Sequence, residues 1–291
     1  MMLPETFRQT FRGVHGENGD VWLRHLPGRI AGWEQKYGIK IGKFYPMTFH
    51  FVAEVTLNGG VEAVIKAGLP ADKELINEKN TLTVFGRGAG MIKLLEDHTD
   101  EGFLLLEKAV PGTVLSDSME DEKAVAAAAA VMGQIRADDW GSMHFPHLAD
   151  WFKGLDRAED IPERYLIKAS AVVKELLSEM NHPTLLHGDL HQNNILSHYG
   201  EWKAIDPKGV IGEKEFEVTS FCRNNLFSKQ KPFDILQTRL SIFEKETGLN
   251  LHKMIRWGYC GAVLSACWCK EDHMPCADEN LKLADLYEKL L

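Results

Sequence analysis

The run Leu185-Leu186-His187-Gly188-Asp189-Leu190-His191-Gln192-Asn193-Asn194-Ile195-Leu196, followed by Ala204-Ile205-Asp206-Pro207, constrains this chain more than any other segment. It reads as an apolar strand, a polar loop carrying Asp189 and Asn194, a hairpin, and a second acidic residue at a strand end. Phosphoryl transfer from a magnesium nucleotide needs a carboxylate to orient and deprotonate a hydroxyl, and oxygen ligands to hold the metal on the phosphates. Asp189 suits the first task. Asn194 and Asp206 suit the second, because Mg2+ is a hard ion that takes oxygen ligands and keeps several waters.

The rest of the chain supplies a setting for this loop. Leu3 to Phe11 has the pattern of a short amphipathic helix, and Val21 to Tyr37 that of a second, broken at Pro27-Gly28. Phe44 to Leu57 alternates and is rich in aromatic and β-branched residues, which predicts strand, turn and strand. Asn58-Gly59-Gly60 is a hairpin signal leading into a strand over Val61 to Ala67. Ala71 to Phe85 is helical in pattern. Met91 to Leu95 and Gly102 to Leu106 read as two more strands joined by a polar turn. Glu107 to Gly112 is a short connector with a Pro-Gly turn, beyond which the pattern becomes helical: Asp121 to Ile135, Pro162 to Met180, and three or four helices from Glu213 onward, one stopped by Gly248. The boundary therefore falls at 107/108, giving a strand-rich segment 1–107 and a helical segment 108–291.

Composition sets the class. With 291 residues, 44% apolar and 26% charged, the chain has material for one or two globular domains with a sizeable core. A net charge of -9 argues against nucleic acid as the main partner and favours a cationic ligand. No apolar run reaches the length of a membrane span. Five cysteines, an odd number with no signal peptide ahead of them, predict reduced thiols and a cytoplasmic location. The spacing of Cys267, Cys269 and Cys276 does not fit a zinc ribbon.

With these pieces in order, the chain resembles the aminoglycoside phosphotransferases of the protein-kinase-like fold, in particular the branch of streptomycin kinases and hydroxyurea-resistance kinases. The resemblance covers nearly the whole chain. At the front it rests on Trp22-Leu23, Leu26-Pro27 and Trp33. In the middle it rests on Gly86-Arg87-Gly88-Ala89 with Leu94-Leu95, and on Leu104-Leu105-Leu106-Glu107 with Pro111-Gly112. Towards the end it rests on Ala204-Ile205-Asp206-Pro207-Lys208-Gly209, Arg256-Trp257 and Ala262-Val263-Leu264-Ser265-Ala266. The His-Gly-Asp loop is specific to the wider fold; the remaining segments point to the branch.

The resemblance implies an α+β, bilobal, protein-kinase-like fold: a small N-lobe with an antiparallel sheet, a larger and mainly helical C-lobe, and an active site in the cleft. It implies ATP and Mg2+ as cofactors, Asp189 as catalytic base, and Asn194 and Asp206 as metal ligands. Lys66, after the apolar Ala63-Val64-Ile65, would contact the nucleotide phosphates, with Glu78 as its partner and Glu74 as the alternative one turn away. The phosphate-covering turn, Pro46 to Phe51, lacks the glycines that kinases proper use there, so Thr48 and His50 become its donors. The backbone from Glu107 to Ala109 would read the adenine edge. His187 and His191 serve as supports of the loop; His-x-Asp-x-His as a hydrolase metal cluster would leave Lys66 and Asp206 without a role.

The acceptor would be a small hydroxyl compound, first of all a polycationic aminoglycoside such as streptomycin, in a pocket lined by carboxylates drawn from Asp138, Asp139, Glu217, Glu271 and Asp272. Trp257 and Trp268 read as core. The alternatives are a kinase of a small endogenous metabolite and a catalytically inactive nucleotide-binding protein of the same fold. A protein kinase proper is disfavoured because no Ala-Pro-Glu segment follows Asp206.

Overall fold

A computed structural model describes residues 3–86, 88–135 and 137–291. The chain divides into two compact units, residues 1–86 with 92–110 and residues 87–91 with 111–291. The first is built on an antiparallel sheet and the second is mainly helical.

The first unit opens with one long helix, α1 (Glu5–Tyr37), kinked at Gly16, whose φ of 56° and ψ of -133° lie outside the helical region. The break expected at Pro27-Gly28 is therefore displaced. Pro27 removes one backbone donor, but Trp22, Leu26 and Trp33 on either side of it are buried in one core and hold the helix through the proline. Glycine takes a positive φ at little steric cost, so the chain turns at Gly16 instead.

Five strands follow: β1 (Lys40–Phe44), β2 (Phe51–Thr56), β3 (Glu62–Ala67), β4 (Leu94–His98) and β5 (Phe103–Glu107), with α2 (Lys73–Phe85) between β3 and β4. They pair antiparallel in the order β1-β2-β3-β5-β4. Phe44 closes the first strand rather than opening it. The Asn58-Gly59-Gly60 turn, with φ of 92° and 82° at its glycines, joins β2 to β3. Phe51, Ala53 and Val55 alternate inward from β2 and meet Ala63, Ile65 and Ala67 of β3 under α1, the period-2 pattern of a sheet with one buried face.

The second unit begins with β6 (Pro111–Val114), α3 (Leu115–Ser118), α4 (Asp121–Gln134), α5 (Leu148–Trp151) and α6 (Glu163–Glu179). After these come β7 (Thr184–Leu186), β8 (Ile195–His198), β9 (Glu201–Ala204) and β10 (Val210–Gly212). The chain ends in α7 (Val218–Arg223), α8 (Pro232–Thr247), α9 (Leu251–Glu271) and α10 (Ala277–Glu288). Pro111-Gly112, expected as a turn, instead starts β6, which pairs with β8; proline is tolerated at the first residue of an edge strand. The strands form two small sheets, β6-β8-β9 and β10-β7. They fix the two ends of the His-Gly-Asp loop: β7 leads in and the β8–β9 hairpin leads out.

Helix α9 is the spine of this unit, with Trp257, Tyr259, Val263 and Leu264 buried. At Gly258 the Tyr287 ring of α10 occupies the space a β-carbon would take. Cys269 and Cys276 form a disulfide, Cα atoms 5.7 Å apart, across the turn from α9 to α10. The expectation of reduced thiols thus holds for Cys222, Cys260 and Cys267, all buried, and fails for the other two, because the turn brings their sulfurs together. No helix among the described residues is long and apolar enough to cross a membrane.

Arg239 of α8 has no exposed surface. Its Nε and Nη2 donate to the two oxygens of Asp121, at 2.9 and 2.7 Å, and its Nη1 donates to the carbonyls of Phe221, Cys222 and Asn224 at 2.9 to 3.0 Å. One guanidinium therefore joins the start of α4 to the carbonyl end of α7, where a positive charge is favoured. Removing one partner of a buried pair leaves the other uncompensated. Asp121→Ala should lower the unfolding free energy by about 3 kcal/mol, read from urea melts; a loss under about 1 kcal/mol, the scale of an exposed pair, would contradict this.

Candidate active site

The loop after β7 is shaped by hydrogen bonds that use both ring nitrogens of His187. Its Nδ1 accepts from the Asp189 N–H at 3.2 Å and its Nε2 donates to the Ile205 carbonyl at 2.9 Å. These two bonds require the neutral tautomer with the proton on Nε2. Burial favours the same state, pushing the His187 pKa down to about 4. A ring so engaged has no lone pair left for a metal. Among the described residues no group of three or more His, Cys, Asp or Glu is arranged to hold a metal ion.

Asp189 follows Gly188, whose φ of 80° favours glycine and whose α-carbon is faced by Trp151: a β-carbon there would lie 2.9 Å from the Trp151 Cη2. The Asp189 side chain is 25% exposed, which leaves it open to a reacting group. Its Oδ2 lies 3.6 Å from the His191 Nε2 and its Oδ1 3.7 Å from the Arg223 Nη2. The His191 Nδ1 accepts from the Asn193 N–H at 3.2 Å, which puts its proton on the nitrogen facing Asp189. Burial pushes the Asp189 carboxyl up, but the His191 ring and the charges of Arg223 and Lys208 outweigh it and hold the group below the usual carboxylate range.

Asn194 sits at the end of a single 3-10 turn (Gln192–Asn194). Its Nδ2 donates to the Asp189 carbonyl at 3.0 Å, which turns Oδ1 away as the remaining acceptor. Its backbone carbonyl accepts from the Ile205 N–H at 2.9 Å. That bond carries Asp206 to the same end of the hairpin. Asp206 adopts a φ of 58°, a conformation non-glycine residues rarely take and aspartate takes more readily than most. An amide oxygen and a carboxylate form a donor set that fits Mg2+.

Beneath the loop lies Glu217, 4% exposed. Its Oε2 accepts from the His187 N–H at 2.7 Å and its Oε1 from the Gly188 N–H at 3.0 Å. The expectation that Glu217 lines an acceptor pocket is thus corrected: its carboxylate is spent on the backbone of the loop. Burial pushes its pKa up to about 7, against the two N–H bonds. Arg223, six residues on, also donates to the Ser265 hydroxyl. The short segment from Glu217 to Arg223 therefore grips the loop twice, once by backbone and once at the reactive carboxylate. Sequence reasoning missed Arg223. The one available signal was Glu213-x-Glu215-x-Glu217, acidic residues at alternate positions just before an apolar run. All three are buried, and Glu213 binds the Trp257 indole N–H at 2.8 Å.

In the first unit, Lys66 of β3 and Glu78 of α2 are both buried and pair at 2.5 Å. Glu78 lies on the inward face of α2, whereas Glu74 is exposed in its first turn, where Asp72 caps the helix by accepting from the Glu74 N–H at 2.7 Å. Thr48 is exposed in the turn before β2. His50 is buried, with its Nε2 3.9 Å from the Asp72 carboxylate, so its ring is directed to the α2 cap. Glu107 ends β5, its N–H donating to the Lys93 carbonyl at 2.9 Å, and Ala109 follows, buried. Of the other acceptor candidates, Asp138 and Asp139 are exposed, Asp139 accepting from the Gly141 N–H at 2.8 Å; Glu271 and Asp272 are exposed at the end of α9. Arg87 of the Gly86–Ala89 motif lies outside the described residues.

Solved structures share this protein-kinase-like fold. The choline kinase LicA from Streptococcus pneumoniae matches with a TM-score of 0.67 at 14% identity, over 91% of this chain and 98% of that one. At the level of sequence, residues 47–273 match the aminoglycoside/hydroxyurea antibiotic resistance kinases, and the chain belongs to that family. A hydroxyurea phosphotransferase from Kitasatospora aureofaciens is 30% identical over 88% of this chain and 77% of its own length. A streptomycin 3''-kinase from Klebsiella pneumoniae is 32% identical over 57% of this chain and 66% of its own length. The protein is therefore an ATP-dependent phosphotransferase with an alcohol-type hydroxyl as acceptor.

Glu217 generates a pH prediction. Its folded pKa lies above its unfolded value, so the native state binds the proton more tightly and stability from this group falls as pH rises between the two. Wild type should gain about 1 kcal/mol relative to Glu217→Gln on going from pH 8 to pH 6, read from paired urea melts. An unchanged difference would mean that the carboxylate does not titrate there.

Proposed function

We propose that Asp189 accepts the proton of an acceptor hydroxyl while the hydroxyl oxygen attacks the γ-phosphorus of ATP, the bond to the bridging oxygen breaks and ADP leaves. The observation carrying this reading is the open Asp189 carboxylate, held by Arg223, His191 and the Glu217-anchored backbone. A carboxylate held below its usual pKa is a weak base. That suits a loose transition state, in which orientation of the hydroxyl matters early and its proton leaves late.

Mg2+, when bound with the nucleotide, would neutralise the charge that develops on the phosphates. The Asn194 Oδ1 and the Asp206 carboxylate are the residues we assign to hold it. Lys66, kept in place by Glu78, is read as the phosphate contact. Thr48 and the backbone from Glu107 to Ala109 are assigned to the phosphates and the adenine edge; His50, turned to Asp72, is the weakest of these assignments. The first unit would then be the nucleotide-binding lobe, and the second would carry the base and the acceptor. A cytoplasmic location follows from the demand for ATP.

For the acceptor we propose a streptomycin-like aminoglycoside, supported by the similarity to the streptomycin 3''-kinase and by the net charge of -9. A second reading, hydroxyurea, is favoured by the wider coverage of the hydroxyurea phosphotransferase. An ATP-consumption assay over streptomycin, other aminoglycosides, hydroxyurea and choline separates these from a metabolite kinase. Nucleotide binding without turnover on any acceptor would favour an inactive binder. Asp189→Asn should lower kcat roughly 10²- to 10⁴-fold with KM for ATP little changed. Parental turnover in that variant would remove Asp189 from the role.

A further inference from the structure

Trp151 ends α5 and Trp268 lies near the end of α9. Their rings meet edge to face, with centroids 5.6 Å apart and planes at 78°. Unlike Trp257, which is fully buried, both are only partly buried, so Trp268 departs from its reading as core. Neither indole N–H has a hydrogen-bond acceptor among the described residues. An indole with an open N–H at a wet surface, where one end is apolar and the other polar, is poised to take a ligand rather than to fill a core.

Their place relative to the reacting group is fixed by two glycines. The tip of Trp151 rests against Gly188, the residue before Asp189. At Gly154 a β-carbon would lie 3.5 Å from the Trp268 Nε1 and 3.9 Å from the Arg157 Nη2, so the backbone leaves room for both side chains. One turn beyond Trp268, Glu271 faces Arg157 at 3.9 Å, both side chains exposed. A pair so hydrated is weak, and the Glu271 carboxylate keeps charge to offer a cation.

We propose that the Trp151–Trp268 pair is the acceptor platform of this enzyme, receiving a flat, delocalised N–C–N group, guanidinium or urea, against an indole face, and so setting the acceptor hydroxyl at Asp189. The proposal rests on the reading of Asp189 as the phosphotransfer site. Planar guanidinium stacks flat on aromatic faces and is more weakly hydrated than a compact ammonium. Streptomycin carries guanidino groups and hydroxyurea is itself a urea, so one platform serves both acceptors. Glu271 adds charge for the cationic one.

The test has two arms. In steady-state kinetics with streptomycin and with hydroxyurea, Trp151→Leu and Trp268→Leu should raise KM for the acceptor roughly tenfold with no matching change in KM for ATP, and Trp151→Phe should restore most of the loss. A parental acceptor KM in both leucine variants would overturn the platform. In the second arm, the wild-type protein, with its indole N–H resonances assigned through Trp151→Phe and Trp268→Phe, is titrated with methylguanidinium and with hydroxyurea. Both resonances should shift, and no shift with either probe would overturn the platform. If wild type turns over neither acceptor but the resonances shift, the reading of the substrate fails and the platform stands. If the leucine variants do not fold, the wild-type titration decides.

Discussion

The catalytic loop of this protein depends on one buried carboxylate. Two successive backbone N–H groups, those of His187 and Gly188, converge on Glu217. Buried donors without an acceptor are costly, at about 1–3 kcal/mol each, so the turn that presents Asp189 is stable because Glu217 lies beneath it. The same loop is tied from above by His187, whose ring spans Asp189 and Ile205. A bond from Ile205 back to Asn194 closes the circuit through the hairpin. Asp189, Asn194 and Asp206 are thereby tied into one network made of the loop backbone, the His187 ring, the Asn194 amide and the Glu217 carboxylate.

The grip extends outward by steps. Glu217 begins a short stretch that ends in Arg223, which approaches the Asp189 carboxylate and donates to Ser265 of α9. The carbonyls that close α7 are taken by Arg239, which answers to Asp121. Each step hands on to a polar group that has partners of its own. This is the condition under which a polar network rigidifies a site instead of weakening it.

What the sequence made legible was local. The loop motif, the strand periodicity of β2 and β3, the glycine turn between them and the helix ended by Gly248 follow from residue types within a few positions. The sequence offered Lys66 with Glu78 or Glu74; the fold pairs Lys66 with Glu78, which helical phase turns towards the buried strand. The rest depended on distance in space. The kink moved from Pro27 to Gly16 because a core of residues remote in sequence holds the helix. Glu217 read as a carboxylate of the acceptor pocket because nothing local says that a loop thirty residues earlier will supply its donors. Cysteine parity, likewise, could not say that Cys269 and Cys276 face each other across a turn.

The left-handed backbone at Asp206 bears on which sequences this position can sample. Asparagine shares aspartate's ease in that region, whereas a β-branched or bulky residue there would carry conformational strain in addition to any loss of charge. Drift at this position is therefore channelled towards the amide, a replacement that changes the chemistry of the ligand while leaving the path of the chain intact.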